Sequence, residues 1–425
     1  MAAPSSAGIR NYAIVTAAYW GFTLTDGALR MIVLFTFFKL GYSPFTLAFL
    51  FVLYEAAGIG ANFIGGWLAG RFGITRMLTV GLTTQICGFL ILSAVSPSWE
   101  TALLVPWVVA AQGICGVAKD LTKTASKSAI KVTEADAKGG NANSRLFRWV
   151  AWFTGSKNAM KGFGFLLGGA LLELIGFRPA LWLMAGVLAL VLAGVVLSLP
   201  PMLGKTKSSK SMKELFAKNR GVNLLALARV ALFGARDVWF VVGVPVFLYG
   251  SGWTFIMVGG FLALWTIGYG FVQAAAPAVV TRSADGLSRE VPAARWWALA
   301  LTLVPVAMAG WLAFAPPHAD VVLVAGLSIF GIAFAVNSSL HSYLILAYAG
   351  SEKAAEDVGF YYAANAAGRF IGTLLSGLLY QFGGIFACLG GSALMLAVCL
   401  FTTLLLPTHA NAAENTNPRR APAGG

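Results

Sequence analysis

The sequence predicts an all-α polytopic membrane protein with twelve transmembrane helices in two six-helix bundles. Of its 425 residues, 58% are hydrophobic and only 11% are charged, and the mean hydropathy is +0.77. The apolar runs are each about 20 residues long, which is enough to cross a hydrocarbon core of about 30 Å. Turn or charge signals separate twelve such runs, six on each side of a basic stretch.

The predicted spans divide the chain into domains. They lie near 11–38, 44–70, 76–96, 100–126, 147–173 and 180–199, and then near 221–249, 253–281, 295–315, 320–349, 358–381 and 384–407. The first run is too long to be the apolar region of a cleavable signal peptide. We therefore expect an N-terminal bundle over 1–199, a basic linker over 200–220, a C-terminal bundle over 221–407 and a disordered tail over 408–425.

Basic residues mark one side of the membrane. Arg71, Arg76 and the lysines between 205 and 213 fall on loops that share a side, whereas the other side has little beyond Lys39 and Arg178. Cytoplasmic loops are enriched in Lys and Arg, so both termini are predicted to be cytoplasmic, in the inner membrane of a bacterium. The linker would contact anionic lipid headgroups or remain solvated. The net charge of +14 thus reflects topology and indicates no nucleic-acid partner.

Charged residues inside the apolar spans are the main functional signal. The deep cations are Arg30, Lys157, Lys161, Arg236 and Arg369, and Asp26, Glu55 and Asp237 are the only acids expected at comparable depth. A charge near the bilayer centre costs about 3 kcal/mol on insertion scales, so it normally faces a protein interior or a water-filled pathway. The excess of cations predicts a small anionic substrate.

Depth ranks these cations as substrate ligands. At a rise of about 1.5 Å per residue, Arg236, Arg369 and Lys161 fall near the midplane of their spans, and we expect them to bind substrate, with Arg30 and Lys157 next. Further candidate ligands are Lys119, Asn158, Asn337 and Asn365.

Internal ion pairing is the alternative role for these charges. Asp26 lies one helical turn from Arg30, and Asp237 could pair with a basic neighbour on another helix. Lys161 and Arg369 have no acid within a helical turn, so their own helices offer them no such partner.

The polar residues and two motifs show a family pattern. Spans three, six, nine and twelve carry no deep charge, and an N-A-x-x-x-F frame at Asn158–Phe163 recurs 207 positions later at Asn365–Phe370. The loop from Gly66 to Arg76 reads G-W-L-A-G-R-F-G-I-T-R. Together they resemble the major facilitator superfamily, in which eight helices surround a central cavity.

This resemblance implies a cytoplasmic gating loop formed by Arg71, Gly73 and Arg76. Gly70 occupies the position at which the family has an Asp. This loop therefore lacks the acidic residue that the family uses as a latch between its two bundles. A series of glycines in span five partly resembles the pattern of antiporter members, and close helix packing is the alternative explanation for it. These glycines are Gly155, Gly164, Gly168 and Gly169.

Three stretches narrow the family further. They run from Ala18 to Arg30, from Lys119 to Lys131 and from Thr154 to Lys161, and they resemble the ArsJ family of organoarsenical efflux permeases. The resemblance implies export of 1-arseno-3-phosphoglycerate, which a glyceraldehyde-3-phosphate dehydrogenase forms from arsenate. A functional pairing with that dehydrogenase and arsenate resistance would follow. Other organophosphates or organic anions remain alternatives, because arsenyl and phosphoryl groups are similar in shape and charge.

The sequence favours gradient-driven transport. It contains no G-x-x-x-x-G-K-[ST] loop for ATP, no H-E-x-x-H or G-x-S-x-G motif of an enzyme and no sizeable soluble domain of a sensor. The four cysteines are isolated, so neither a metal nor another cofactor is predicted. Proton antiport would use Asp26, Glu55, Asp237 or His341, and a hydrogen-bonded structural role is the alternative for the histidine.

Overall fold

The computed structural model describes residues 6–135, 142–201, 203, 219–279, 283, 285–314 and 317–408. Side chains are defined in these ranges except at 6–9, 62–67, 69–70, 130–135, 142–155, 277–279 and 349–359. Every regular element in the described chain is an α-helix, which confirms the predicted all-α class. Most of the predicted linker over 200–220 and the tail after residue 408 lie outside the described residues.

The helices follow the predicted spans. They are α1 (Ser6–Lys39), α2 (Pro44–Phe49), α3 (Val52–Phe72), α4 (Ile74–Ser93), α5 (Thr101–Ala135), α6 (Ala142–Leu174), α7 (Phe177–Ser198), α8 (Arg220–Phe240), α9 (Gly243–Gly250), α10 (Phe255–Val279), α11 (Glu290–Leu312) and α12 (Ala319–Leu404). Predicted spans two and seven are each divided into two helices. The short α2 begins at Pro44, after Ser43, whose hydroxyl accepts a hydrogen bond from the Thr46 N–H and so caps the helix.

Helix α12 covers three predicted spans and reverses direction within its length. The sulfur of Cys388 lies 3.6 Å from the carbonyl oxygen of Ser376, whereas 12 residues of straight helix would separate them by about 18 Å. Gly384, between them, has a φ of +57° that favours glycine. An earlier reversal is required as well, because Arg229 contacts both Ser338 and Tyr361. The three predicted spans are therefore separate passes of one continuous helical stretch.

Ten described helical segments are long and apolar enough to cross a membrane. One of them, Phe360–Leu404, is 45 residues long, about twice the length that one crossing needs, and it covers most of predicted spans eleven and twelve. Helix α6 carries predicted span five, and many of its N-terminal side chains lie outside the defined set. The number, length and apolarity of these segments indicate an integral membrane protein.

The chain divides into two compact units. The first unit comprises Met1–Lys210 and Leu248–Gly270, and the second comprises Ser211–Phe247 and Phe271–Gly425. In the first unit, α1 packs against α5, α6 and α7, while α5 also packs against α3 and α4. In the second unit, α8 and α11 both pack against α12. The predicted domain limits near 199 and 220 stay predictions.

Glycines allow close helix contact in each unit. A β-carbon at Gly168 of α6 would overlap the backbone of Ala28 in α1, and one at Gly368 of α12 would overlap the backbone of Val230 in α8. Small residues let helix backbones approach closely where side chains would otherwise separate them. Of the span-five glycines, Gly164, Gly168 and Gly169 thus have a packing role, as the alternative to an antiporter motif requires.

Candidate functional site

Buried charges of α1, α3 and α5 form one network in the first unit. Arg30 of α1 is ion-paired with Glu55 of α3, and their side chains are 5% and 2% exposed. The ammonium of Lys119 in α5 lies 4.0 Å from Glu55 Oε2 and 3.7 Å from the centre of the Tyr54 ring. The Glu55 carboxylate is therefore shared by two cations from two other helices.

The network continues along α5 through a carboxylate that the sequence reasoning missed. Asp120 is buried, and its carboxylate lies 4.0 Å from Lys119 Nζ and 3.4 Å from Lys123 Nζ. Asp120 therefore adds a buried carboxylate to Asp26, Glu55 and Asp237. The adjacent Lys119 was a signal that could have identified Asp120, because a cation placed inside an apolar helix needs compensation.

Asp26 has a different partner from the one expected. Both of its carboxylate oxygens accept from the Tyr54 hydroxyl, at 2.6 and 2.8 Å, and the side chain is buried. The expected pairing with Arg30 is wrong, because Arg30 binds Glu55, the neighbour of Tyr54 on α3. Within the described part of the chain, Asp26 has no basic side chain at ion-pair distance.

A second cluster lies between α8 and α12 of the second unit, around Asp237. The Nε and Nη2 of Arg236 lie 2.6 and 2.5 Å from Asp237 Oδ1, and the Nε of Arg369 lies 3.3 Å from Oδ2. Asp237 is 1% exposed, whereas the Arg236 and Arg369 side chains are 15% and 20% exposed. Arg369 therefore has an acidic partner on another helix, although the sequence places no acid within one helical turn of it.

Arg229 of α8 adds a third guanidinium between α8 and α12, and it was not among the predicted ligands. It is buried, and its Nη1 donates to the Ser338 carbonyl and hydroxyl at 3.1 and 3.0 Å. Its guanidinium carbon lies 4.1 Å from the Phe233 ring centre and 4.8 Å from that of Tyr361. Among the described residues, no carboxylate pairs with it. Positive charge therefore exceeds negative charge in this part of the second unit.

The predicted polar candidates of α12 are deeply placed. Asn337 and His341 are both 0% exposed. Neither the Asn337 amide nor either ring nitrogen of His341 has a hydrogen-bond partner in the described structure, and the Oδ1 of Asn365 has none either. Both roles considered for His341, proton coupling and a hydrogen-bonded structural role, therefore stay predictions. Buried polar groups without partners are uncommon in proteins and point to a ligand, ion or water.

The predicted ligands of α6 lie in the first unit. Lys157, Asn158 and Lys161 are all partly buried. The ammonium of Lys161 lies 5.6 Å from the Phe165 ring centre, and the Asn158 side chain faces Gly270. Their helix packs against α1, since a β-carbon at Gly27 would lie 2.8 Å from the Lys161 carbonyl oxygen.

The predicted gating loop joins α3 to α4. Arg71 and Arg76 are exposed, and Gly73 has a φ of +81° that glycine adopts without strain. The next two residues are tied to the chain after α7, because the Ile74 N–H donates to Leu203 O at 2.7 Å and the Thr75 hydroxyl donates to Pro200 O at 2.7 Å. The loop therefore bonds to the start of the predicted linker.

Comparisons with known proteins support the class of the fold. Residues 12–373 match the sequence model of the Major Facilitator Superfamily. No curated protein matches the chain in sequence. A crystal structure of the nucleoside transporter NupG, in a mutant form, is similar with a TM-score of 0.69 and 14% identity, covering 94% of this chain and 99% of that one.

A second solved structure gives the same result. A POT family transporter in complex with 5-aminolevulinic acid is similar with a TM-score of 0.68 and 13% identity, covering 93% of this chain and 95% of that one. Identities this low concern the fold alone. The predicted transporter fold is thus confirmed over nearly the whole chain, and no cargo carries over from these structures.

Proposed function

The chain belongs to the major facilitator superfamily and is a transporter of a small substrate, and on this premise we propose that it exports 1-arseno-3-phosphoglycerate by alternating access. Export of this ester removes arsenate from the cell and so confers arsenate resistance. The glyceraldehyde-3-phosphate dehydrogenase that forms the ester is the functional partner. The resemblance of the α1, α5 and α6 stretches to organoarsenical permeases supports this particular cargo.

The observation that carries the proposal is the charge surplus of the second unit. Arg236 and Arg369 share one carboxylate, Asp237, and both guanidinium groups keep part of their surface exposed. A guanidinium presents a planar set of N–H donors that matches two oxygens of a carboxylate, phosphoryl or arsenyl group. An arriving oxyanion therefore offers these two arginines the same interaction that Asp237 offers.

Alternating access requires that the substrate bind the inward-facing and outward-facing states differently. Asp237 is proposed to make substrate binding differ between the two states. It pairs with both arginines when substrate is absent, and it competes with the substrate for them. Lys157 and Lys161 of α6 are proposed as further substrate ligands that belong to the first unit, where each supplies a flexible point charge. The cation-rich spans thus favour an anion over a neutral or cationic cargo.

The cysteines favour a pentavalent arsenic compound. Cys115, Cys388 and Cys399 are buried in separate helices or segments. Trivalent arsenic calls for clustered soft thiolates, whereas an arsenyl oxyanion calls for hydrogen-bond donors and positive charge. The arginines of α8 and α12 provide the second chemistry.

Proton antiport is proposed to use Asp26 among the candidate acids. Protonating Glu55 would leave Arg30 and Lys119 without their shared carboxylate, and protonating Asp237 would leave two arginines side by side. Buried cations that lose their partner are strongly unfavourable. Asp26 accepts only from a neutral phenol in the described structure, so it can gain a proton without stranding a cation.

The decisive experiment is arsenate resistance in a sensitive bacterium that lacks its own arsenic exporters. We expect protection when the transporter and the dehydrogenase are expressed together, and none from either alone. The Arg369→Gln transporter, expressed to the same membrane level, should give weaker protection. Protection by the transporter without the dehydrogenase, or none from the pair, would contradict the proposed cargo.

Exchange of ordinary organophosphates is the second candidate function, because the same arginine cluster would bind a phosphoryl group. Liposomes containing the purified transporter and loaded with 3-phosphoglycerate distinguish the two. Rapid exchange of external labelled 3-phosphoglycerate would favour the organophosphate exchanger, whereas slow exchange together with resistance in cells would favour the arsenical exporter.

We also propose that the protein lies in a bacterial inner membrane with both termini on the cytoplasmic side. The distribution of Lys and Arg supports this orientation. A reporter enzyme that is active only in the periplasm, fused after residue 408, should be inactive. Activity of that fusion would place the C-terminus in the periplasm and so contradict the proposed topology.

A further inference from the structure

Arg229, Asn337 and His341 form a polar cluster that the proposed cargo does not use. All three side chains are buried, at 4%, 0% and 0% exposure. Arg229 has no acidic partner in the described part of the second unit, while the neighbouring Arg236 and Arg369 share Asp237. The cluster therefore holds a buried positive charge that no described carboxylate neutralises.

The geometry of α12 directs these groups to one side. Successive residues of an α-helix are rotated by about 100° around the helix axis. His341, about one turn after Asn337 and Ser338, is therefore rotated by about 40° from Asn337 and by about 60° from Ser338. Ser338 contacts Arg229 directly through its carbonyl and hydroxyl oxygens. Phe334, one turn before Ser338, packs its ring against that of Phe233 in α8, with the ring centroids 5.2 Å apart. Asn337 and His341 thus lie on the α12 face that packs against α8.

The cluster is rich in unused hydrogen-bond donors. The Nε–H of Arg229, the amide of Asn337 and both ring nitrogens of His341 lack partners among the described groups. An amide, a guanidinium and an imidazole each present an N–H donor, and the guanidinium also carries a fixed positive charge. Hydrogen-bond donors beside an uncompensated cation form a binding site for an anion.

From these observations we propose that Arg229, Asn337 and His341 bind a compact monovalent inorganic anion of the chloride class. The burial of all three side chains limits the ligand to a small one. Phe233 separates this site from the Asp237 cluster along α8, since its ring packs against both Arg229 and Arg236. The bound anion neutralises Arg229 and so stabilises the α8–α12 contact, whatever organic anion the transporter carries.

Thermal unfolding of the purified full-length protein in detergent tests the site. Sodium chloride is compared with sodium gluconate, a bulky anion, at constant ionic strength. We expect a saturable rise in Tm of about 4 °C with chloride, because a ligand that binds only the folded state stabilises it. Arg229→Gln should abolish the rise, whereas Arg236→Gln, a matched loss of one arginine on the same helix, should retain it.

Asn337→Leu keeps the test decisive if Arg229→Gln fails to fold. It removes one neutral donor at similar volume and should raise the chloride concentration for the half-maximal shift about tenfold. Equal Tm values in chloride and gluconate would overturn the proposal. A rise with inorganic phosphate but not with chloride, lost in Arg229→Gln, would also overturn it, because the site would then belong to the cargo. Failure of the arsenate-resistance test leaves this outcome unaffected.

Discussion

The buried charges of the first unit and of the second unit are organised differently. In the network of α1, α3 and α5, three cations alternate with two carboxylates, in the order Arg30, Glu55, Lys119, Asp120 and Lys123. Asp26 is next to this network and accepts a hydrogen bond from the Tyr54 hydroxyl. In the second unit, the guanidinium groups of Arg236 and Arg369 share the carboxylate of Asp237, whereas Arg229 binds Ser338 and has no carboxylate partner among the described residues.

The difference teaches how buried charge divides between structure and ligand binding. A cation with a buried carboxylate partner is compensated inside the protein, and removing one partner is then strongly destabilising. A cluster with surplus positive charge has hydrogen-bond donors left for a ligand. We therefore expect substitutions in the first-unit network to act mainly on stability and those in the second-unit cluster to act mainly on transport.

Glu55→Gln should have the largest effect on stability. It leaves Arg30 and Lys119 buried without the carboxylate that they share, and loss of one partner from a buried pair costs roughly 3–5 kcal/mol. The measurement is Tm of the detergent-purified protein. Glu100→Gln, at an exposed position, is the control and should leave Tm within error. Equal Tm values for both variants would show that the network does not hold the first unit together.

Glycine substitutions should reveal what the two units have in common. Gly168→Ala in the first unit and Gly368→Ala in the second both place a methyl group against the backbone of the facing helix, and overpacking of this kind costs about 1–3 kcal/mol. Gly186→Ala, where the added carbon meets open space, is the control and should be neutral or slightly stabilising. A lower Tm for only one of the two buried variants would mean that the units differ in packing as well as in charge.

Arg236→Gln and Arg369→Gln should each lower the kcat/KM of transport by about tenfold, or about 1.4 kcal/mol, because each removes a charged donor to the substrate. Their Tm values should change less than that of Glu55→Gln, because both side chains are partly exposed. Counterflow in liposomes measures the rate. Arg289→Gln, an exposed arginine of the second unit, controls for net charge, and an equal loss there would remove the cluster from the mechanism.

Asp26→Asn should have the smallest effect on stability, below about 1 kcal/mol, because asparagine still accepts a hydrogen bond from Tyr54 and no cation loses its partner. Its effect should appear in coupling. Transport by the wild-type protein in everted vesicles should fall on addition of a proton uncoupler, and the residual transport by the variant should not respond. A variant that keeps its sensitivity to the uncoupler would exclude Asp26 as the proton carrier.

The class of the fold was predictable from the sequence because it depends on local properties. Apolar runs of about 20 residues specify membrane-crossing helices wherever they occur. The finer features were less accessible. The division of predicted span two at Leu50–Phe51 carries no proline or glycine signal, and the reversal at Gly384 is one glycine among many in the chain.

The candidate site was predictable by residue type but not by partner. The deep positions of Arg30, Glu55, Arg236 and Arg369 followed from the spans that contain them. Their partners did not, since Glu55 reaches Arg30 from another helix and Asp237 joins two arginines 133 positions apart. The i, i+4 rule favoured Asp26 for Arg30, and tertiary contact with α3 overrode it.

The sequence by itself determined that this chain crosses a membrane many times and carries excess positive charge inside it, because composition and hydropathy are properties of segments. The tertiary structure decided which of those charges are compensated. Pairing depends on the distance between helices that are remote in the chain. Only the folded units therefore show that the Glu55 carboxylate is shared by two cations, whereas the Arg229 guanidinium has no carboxylate partner among the described residues.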